Sequence, residues 1–117
     1  MVKIKMIVNG NTLIADFENN ATANALLNLM PTQLPMLNLY SRELTYRFKQ
    51  ALPANDTQRK GYRVGDIAYW APRHSFVIFY KQTGEIISDL QPIGHIDSGD
   101  LNQFQSSGNV TVSFERV

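Results

Sequence analysis

Every β-prone run in this chain is short, and turn formers close each one before a helix long enough to return the chain to a parallel neighbour could follow. The opening sets the pattern. Residues up to Val8 read as a strand, Asn9-Gly10-Asn11 supplies residues that tolerate the positive φ of a tight hairpin turn, and Thr12 to Glu18 reads as the returning strand. A short helix follows. Asn20 or Thr22 can cap it, Ala23, Ala25, Leu26, Leu27, Leu29 and Met30 put an apolar stripe on one side, and Pro31 stops it. At two to three turns it is too short to be stable alone, so its leucines are expected to plug one end of a larger β-structure.

From Leu34 to Phe48, Leu37, Leu39, Leu44, Tyr46 and Phe48 alternate with polar residues, as strands around an interruption at Ser41-Arg42-Glu43 would. Residues 49–63 have turn formers and no periodicity and read as a long surface loop. Strands are expected at Asp66 to Trp70, Phe76 to Lys81 and Glu85 to Ser88, and a further short one at Pro92 to Asp97. Asp97 or Ser98 can then cap one helical turn through Phe104, Gly108 ends it, and Val110, Val112 and Phe114 alternate along a last strand. About eight short antiparallel strands with two small helices, without βαβ spacing or repeats, imply a mainly β barrel or sandwich.

A chain of 117 residues is the size of one domain and can close one core without disulfides. One domain over residues 1–117 is therefore expected. A hydrophobic content of 44% against 18% charged residues is that of a globular chain and not of a disordered one. The net charge is +1, and no window gathers Lys and Arg into a patch that could neutralise a row of phosphates, which argues against nucleic acid as a partner. Having no cysteine, the chain has no thiol nucleophile and no thiolate metal ligand. Neither a signal peptide nor an apolar run near the roughly 18 residues of a membrane span is visible. No membrane partner and a cytoplasmic location are the expectations.

From Lys3 to Glu115 the landmarks of the chain resemble those of the bacterial cyclophilin-like domain family. They are the Asn9-Gly10 hairpin, the helix Thr22-Ala23-Asn24-Ala25-Leu26-Leu27 closed by Pro31, and Gly65-Asp66-Ile67-Ala68-Tyr69-Trp70 leading into Phe79-Tyr80. Ile93-Gly94-His95-Ile96 and Gly108-Asn109-Val110-Thr111-Val112-Ser113-Phe114-Glu115 complete the set. The resemblance implies a closed cyclophilin-like β-barrel of about eight strands with short helices at its ends. It also implies an exterior cleft, with Phe79 or Tyr80 where isomerase relatives place a pocket phenylalanine.

Peptidyl-prolyl isomerisation calls for a guanidinium that hydrogen-bonds the prolyl nitrogen as amide resonance is lost, beside an apolar pocket for the ring. Isomerase cyclophilins carry Phe-His-Arg and then Phe-Met-x-Gln-Gly-Gly. Neither run occurs here, and Arg47, in Tyr46-Arg47-Phe48, is the nearest candidate for the catalytic group. The reading is therefore a binding module that holds a peptide segment or a small apolar ligand, with no cofactor. An atypical isomerase using Arg47 and an accessory protein-interaction domain are the alternatives, so whether the chain is an enzyme stays open, as does its oligomeric state.

The candidate ligand-binding residues are Arg47, Tyr69, Trp70, Phe79, Tyr80 and His95. Each has a plainer reading. Arg47 fits an outward strand arginine, and in adjacent strands about half of four aromatics face the core, so one alternating set is expected to line a cleft. His74 and His95 are twenty-one positions apart and neither has a carboxylate at helix-ligand spacing, which is no metal-ligand pattern, and His74 in a hairpin fits a solvated histidine. Asp66, Asp89, Asp97 and Asp100 supply carboxylates, of which Asp97 and Asp100 fit helix-start chemistry.

Overall fold

The computed structural model describes residues 1–117. Strands β1 (Val2–Val8) and β2 (Asn11–Phe17) form the opening hairpin, with Val8 opposite Asn11. The two loop residues, Asn9 at φ 51° and Gly10 at φ 77°, occupy the left-handed region that such a turn demands. Helix α1 (Ala21–Leu27) is capped by Asn20, whose Oδ1 accepts the Ala23 N–H at 2.9 Å. Thr22, the other cap candidate, is instead buried inside the helix and its hydroxyl donates to the Pro53 carbonyl. The helix ends before Leu29, which is exposed, while Ala23, Leu26 and Leu27 join the main core.

Strands β3 (Thr32–Leu39) and β4 (Glu43–Arg47) flank a tight turn through Tyr40 and Ser41, both at positive φ. The stretch read as a long loop contains a short strand, β5 (Gln58–Lys60), which that reading missed because Gln-Arg-Lys has no apolar alternation. It forms by pairing with β8 and not by burying side chains. Strands β6 (Asp66–Trp70) and β7 (Ser75–Phe79) are joined through a 3-10 turn at Ala71–Arg73. The two short strands expected at 85–88 and 92–97 are one strand, β8 (Ile87–Ser98), and β9 (Val110–Arg116) ends the chain after a 3-10 turn at Asn102–Gln105. Pro92 lies inside β8 because a register shift against Ile67/Ala68 falls there, a place in a sheet where a missing N–H is tolerated.

All pairings are antiparallel and run β2-β1-β9-β3-β4-β7-β6-β8, and β2 pairs with β8 to close the sheet into an eight-stranded barrel. β5 is the ninth strand, attached outside the closed ring to β8. The closing seam needs Gly94, since a Cβ there would lie 2.2 Å from the Asp16 carbonyl oxygen of β2. No helix is long and apolar enough to cross a membrane.

Side-chain alternation sorts the residues of β4, β7 and β6 between the two faces of the wall. Leu44, Phe76, Ile78, Ile67 and Tyr69 enter the barrel core. Val77, Phe79 and Ala68 point the other way and form a second, smaller cluster with Tyr62 and Leu90. Every residue of β7 is buried, so this strand is covered on its outer face as well as its inner one. The outer cover makes the site.

Candidate functional site

Outward-facing residues of three neighbouring strands line up in register. Glu43, Thr45 and Arg47 of β4 lie opposite Phe79, Val77 and Ser75 of β7, and Ala68 and Trp70 of β6 lie opposite Val77 and Ser75. A rim formed by residues 85–90 runs over this face, leaving a cleft of about 460 Å³ between them. The rim is fixed at both ends. At one, Arg42 Nη1 donates to Glu85 Oε2 at 2.6 Å; at the other, Trp70 Nε1 donates to the Ser88 carbonyl at 3.0 Å. Tyr62 stacks on Phe79 with ring centroids 4.0 Å apart, and its hydroxyl donates to the Lys81 carbonyl at 2.7 Å, tying down the segment that leads into the rim.

The electrostatics of the cleft turn on two arginines in different states. The Arg42 side chain is only 12% exposed. Its Nε donates to Glu43 Oε1 at 2.7 Å, its Nη2 donates to the same oxygen, and its guanidinium carbon lies 4.9 Å from the Tyr40 ring centroid and 5.8 Å from that of Phe79. Burial draws the Arg42 pKa down, but the hydrogen bond to Glu43 and the charges of Glu43 and Glu85 outweigh it and hold the pKa above the usual arginine value. Glu43 is itself buried and its other oxygen accepts the Thr45 hydroxyl at 2.5 Å. Arg42 is thus fully committed to the protein. Arg47, at the far end of β4, is exposed and has no acidic partner within ion-pair distance. Its guanidinium is the one on this face free to meet a ligand.

The six sequence candidates separate into three groups. Arg47, Trp70 and Phe79 line the cleft together, Phe79 as a buried part of its floor. Tyr69 and Tyr80 do not line it. Tyr69 is inside the barrel, where its hydroxyl accepts the Leu52 N–H at 2.9 Å, and Tyr80, also buried, donates to Asn38 Oδ1 at 2.5 Å. Strand alternation sends these two inward because each is one residue from an outward aromatic, Trp70 or Phe79.

His95 belongs to a different cavity, of about 330 Å³, bounded by β2, β6 and β8. There its Nδ1 is 2.8 Å from Asp66 Oδ1, and Asp66 is held by the Arg63 N–H at 2.8 Å. Asp16 and Asp97 line the same cavity. Hydrogen bonds from Asp97 and Lys3 draw the Asp16 carboxyl below the usual range, whereas the hydrogen bond to Asp16, with burial and the Asp16 charge, raises that of Asp97. Both carboxyls lie beside Lys3, whose ammonium is 3.0 Å from Asp16 and 3.6 Å from Asp97. No group of three or more His, Asp or Glu side chains is placed to hold a metal ion.

Sequence reasoning did not find Arg42, Glu43, Glu85 and Asp89 as parts of the cleft. The sequence carried a signal for a cover but not for its residues: Ser75-Phe76-Val77-Ile78-Phe79 lacks the polar alternation of a strand with one wet face, so its outer face needed covering, while the pairing that brings Glu43 beside it is a long-range one.

In sequence, residues 6–115 match the cyclophilin-like family. In structure, the chain is similar to a hypothetical protein of Archaeoglobus fulgidus solved in solution, with a TM-score of 0.77 at 16% identity over 99% of this chain and 95% of that one. At that identity the likeness speaks for the fold alone. No curated protein matches the sequence. With the sequence match spanning almost all of an eight-stranded closed barrel, the chain belongs to the cyclophilin-like family.

Proposed function

We propose that this chain is a binding module whose outer-face cleft holds a peptide segment or a small apolar ligand, with Arg47 as its polar anchor. The observation that carries the reading is the pairing of a free guanidinium with an apolar wall. Arg47 lines the same cleft as Trp70, Val77 and Leu90, while the other arginine of the cleft is neutralised by Glu43 and Glu85. Arg47 and Trp70 sit two strands apart in register through Ser75, a backbone separation of about 10 Å. A ligand group resting on the indole can therefore present a carbonyl or carboxylate to the guanidinium, whose planar fork gives directional donors. Trp70 is fixed by its bond to Ser88, so its ring meets a ligand with little loss of side-chain freedom.

The same arrangement supports a second reading. A guanidinium in an apolar-walled cleft is the group that an X-Pro bond needs when its amide resonance is lost, so an atypical prolyl isomerase would use Arg47 catalytically. One experiment separates the two. NMR exchange spectroscopy on a panel of Ala-Pro peptides, with wild type, Arg47→Ala and Trp70→Ala side by side, reads binding as peptide shifts and catalysis as faster cis/trans exchange. Binding lost in both folded variants with no acceleration in wild type supports the module. Acceleration in wild type that vanishes in Arg47→Ala makes the chain an isomerase. A wild type that neither shifts the peptides nor speeds their exchange, or a Trp70→Ala variant that unfolds, sinks the peptide-cleft assignment.

A further inference from the structure

Asp89 stands at a position where the backbone favours glycine. It lies in β8 at φ 62°, in the left-handed region, where β8 places Ser88 and Asp89 between partners of Gln58 and Lys60 and so opposes two residues to Arg59 alone. This is a β-bulge, a device that re-aims side chains and that takes glycine when one of its residues is left-handed. Here that residue is an aspartate on the wall of the cleft, exposed, and with no salt bridge or side-chain hydrogen bond to the rest of the protein. The fold alone does not call for its carboxylate.

The charges around the cleft show what the carboxylate can meet. Two arginines, Arg42 and Arg47, face three carboxylates, Glu43, Glu85 and Asp89, so the lining carries one net negative charge. Arg42 answers Glu43 and Glu85, which leaves Asp89 and Arg47 as the two unpaired poles. In register Arg47 is separated from Leu90, the chain neighbour of Asp89, by three strand spacings, Arg47 to Ser75 to Trp70 to Leu90, or about 14 Å, the span of about four residues of extended chain. From this we infer that the cleft selects a cationic peptide segment, one whose ammonium or guanidinium side chain pairs with Asp89 while a backbone carbonyl reaches Arg47. The inference rests on the peptide reading above and adds the charge of the ligand to it.

The test uses two acetylated, amidated peptides, Ala-Lys-Ala-Pro-Ala and its analogue with norleucine for lysine, which keeps the four-carbon chain and removes the ammonium. Binding is titrated through the NMR signals of the Trp70 indole N–H and the rim amides. Wild type should favour the lysine peptide about threefold, the scale of a solvent-accessible ion pair, and Asp89→Asn, close in size and tolerant of positive φ, should erase the preference. Asp89→Gly should do the same with an equal or higher thermal midpoint, because glycine relieves the left-handed backbone. Equal binding of both peptides by wild type overturns the cation subsite and leaves the cleft standing. A preference that survives in Asp89→Asn, or an Asp89→Gly that melts lower, also overturns it. If neither peptide moves the Trp70 signal, both the cleft reading and this inference fall.

Discussion

Replacing Arg42 with alanine leaves the Glu43 carboxylate against the outer wall of the barrel, 6% exposed, with the Thr45 hydroxyl as its only remaining partner. Removing one member of a buried ion pair costs about 3 to 5 kcal/mol because the other charge stays desolvated. Arg42 retains some contact with water, so the lower end applies, about 3 kcal/mol. For a domain of this size that is a fall of about 12 °C in melting temperature. Urea unfolding followed by far-UV circular dichroism measures the loss directly. The control is Arg42→Met combined with Glu43→Leu, which removes both charges. Apolar replacement of a whole pair is close to neutral, and the Thr45 hydroxyl left without an acceptor costs about 1 kcal/mol, so the double variant should be more stable than the single one. A single variant within about 1 kcal/mol of wild type, or a double variant as unstable as the single, would show that the pair is not desolvated as the structure has it.

Two further perturbations probe the barrel itself. Burial, with the charge of Glu43 adding to it, holds the Tyr80 phenol above the usual tyrosine pKa. Its stabilising contribution is therefore complete below about pH 10 and lost as pH rises through the higher folded value. Tyr80→Phe should cost about 1 kcal/mol at neutral pH through the lost bond to Asn38 and should flatten the alkaline limb of a stability-against-pH curve; an unchanged limb would mean that Tyr80 does not titrate with unfolding. Gly94→Ala drives a methyl into the Asp16 carbonyl at the β2–β8 seam, where backbone on both sides leaves nothing to rotate away. The loss should be about 3 kcal/mol or more, with amide exchange accelerated first in β2 and β8, and a variant as stable as wild type would contradict the tight closure.

What could be read from the sequence and what could not divides along a physical line. The Asn9-Gly10 hairpin, the helix cut short near Pro31 and the β6 and β7 strands are written in local chemistry, namely turn propensity, capping and periodicity, and the structure has all of them. β5 and the continuity of β8 depend on partners distant in sequence: Gln58–Lys60 is a strand only because Ile87 and Leu90 pair with it. The same limit applies to the cleft. Trp70 and Phe79 could be named from the β-prone runs that contain them, and alternation alone foretold that only one set of aromatics would face outward. Whether that set held Tyr69 and Tyr80 or Trp70 and Phe79 depends on which face the barrel closes around, which no local pattern states.

The buried charge pair on the outer wall bears on how the cleft keeps its shape. Hydrophobic residues at 42 and 43 would cover β7 at no greater cost, so stability alone gives no reason for an arginine and a glutamate there. The pair adds a direction. Glu43 takes the Nε and one Nη of Arg42, which orients the other Nη toward Glu85 and fixes where the rim begins. Trp70 fixes it again at Ser88, which shares the bulge with Asp89. With both ends of the rim set, the separation between Asp89 and Arg47 is a property of the folded chain and is not left for a ligand to impose. An interface ordered in advance saves the entropy of ordering it on binding. On the proposed peptide reading, Arg42→Ala should therefore weaken peptide binding in the NMR titration although the Arg42 charge is already answered by Glu43 and Glu85, and undiminished binding would show that the rim does not depend on Arg42.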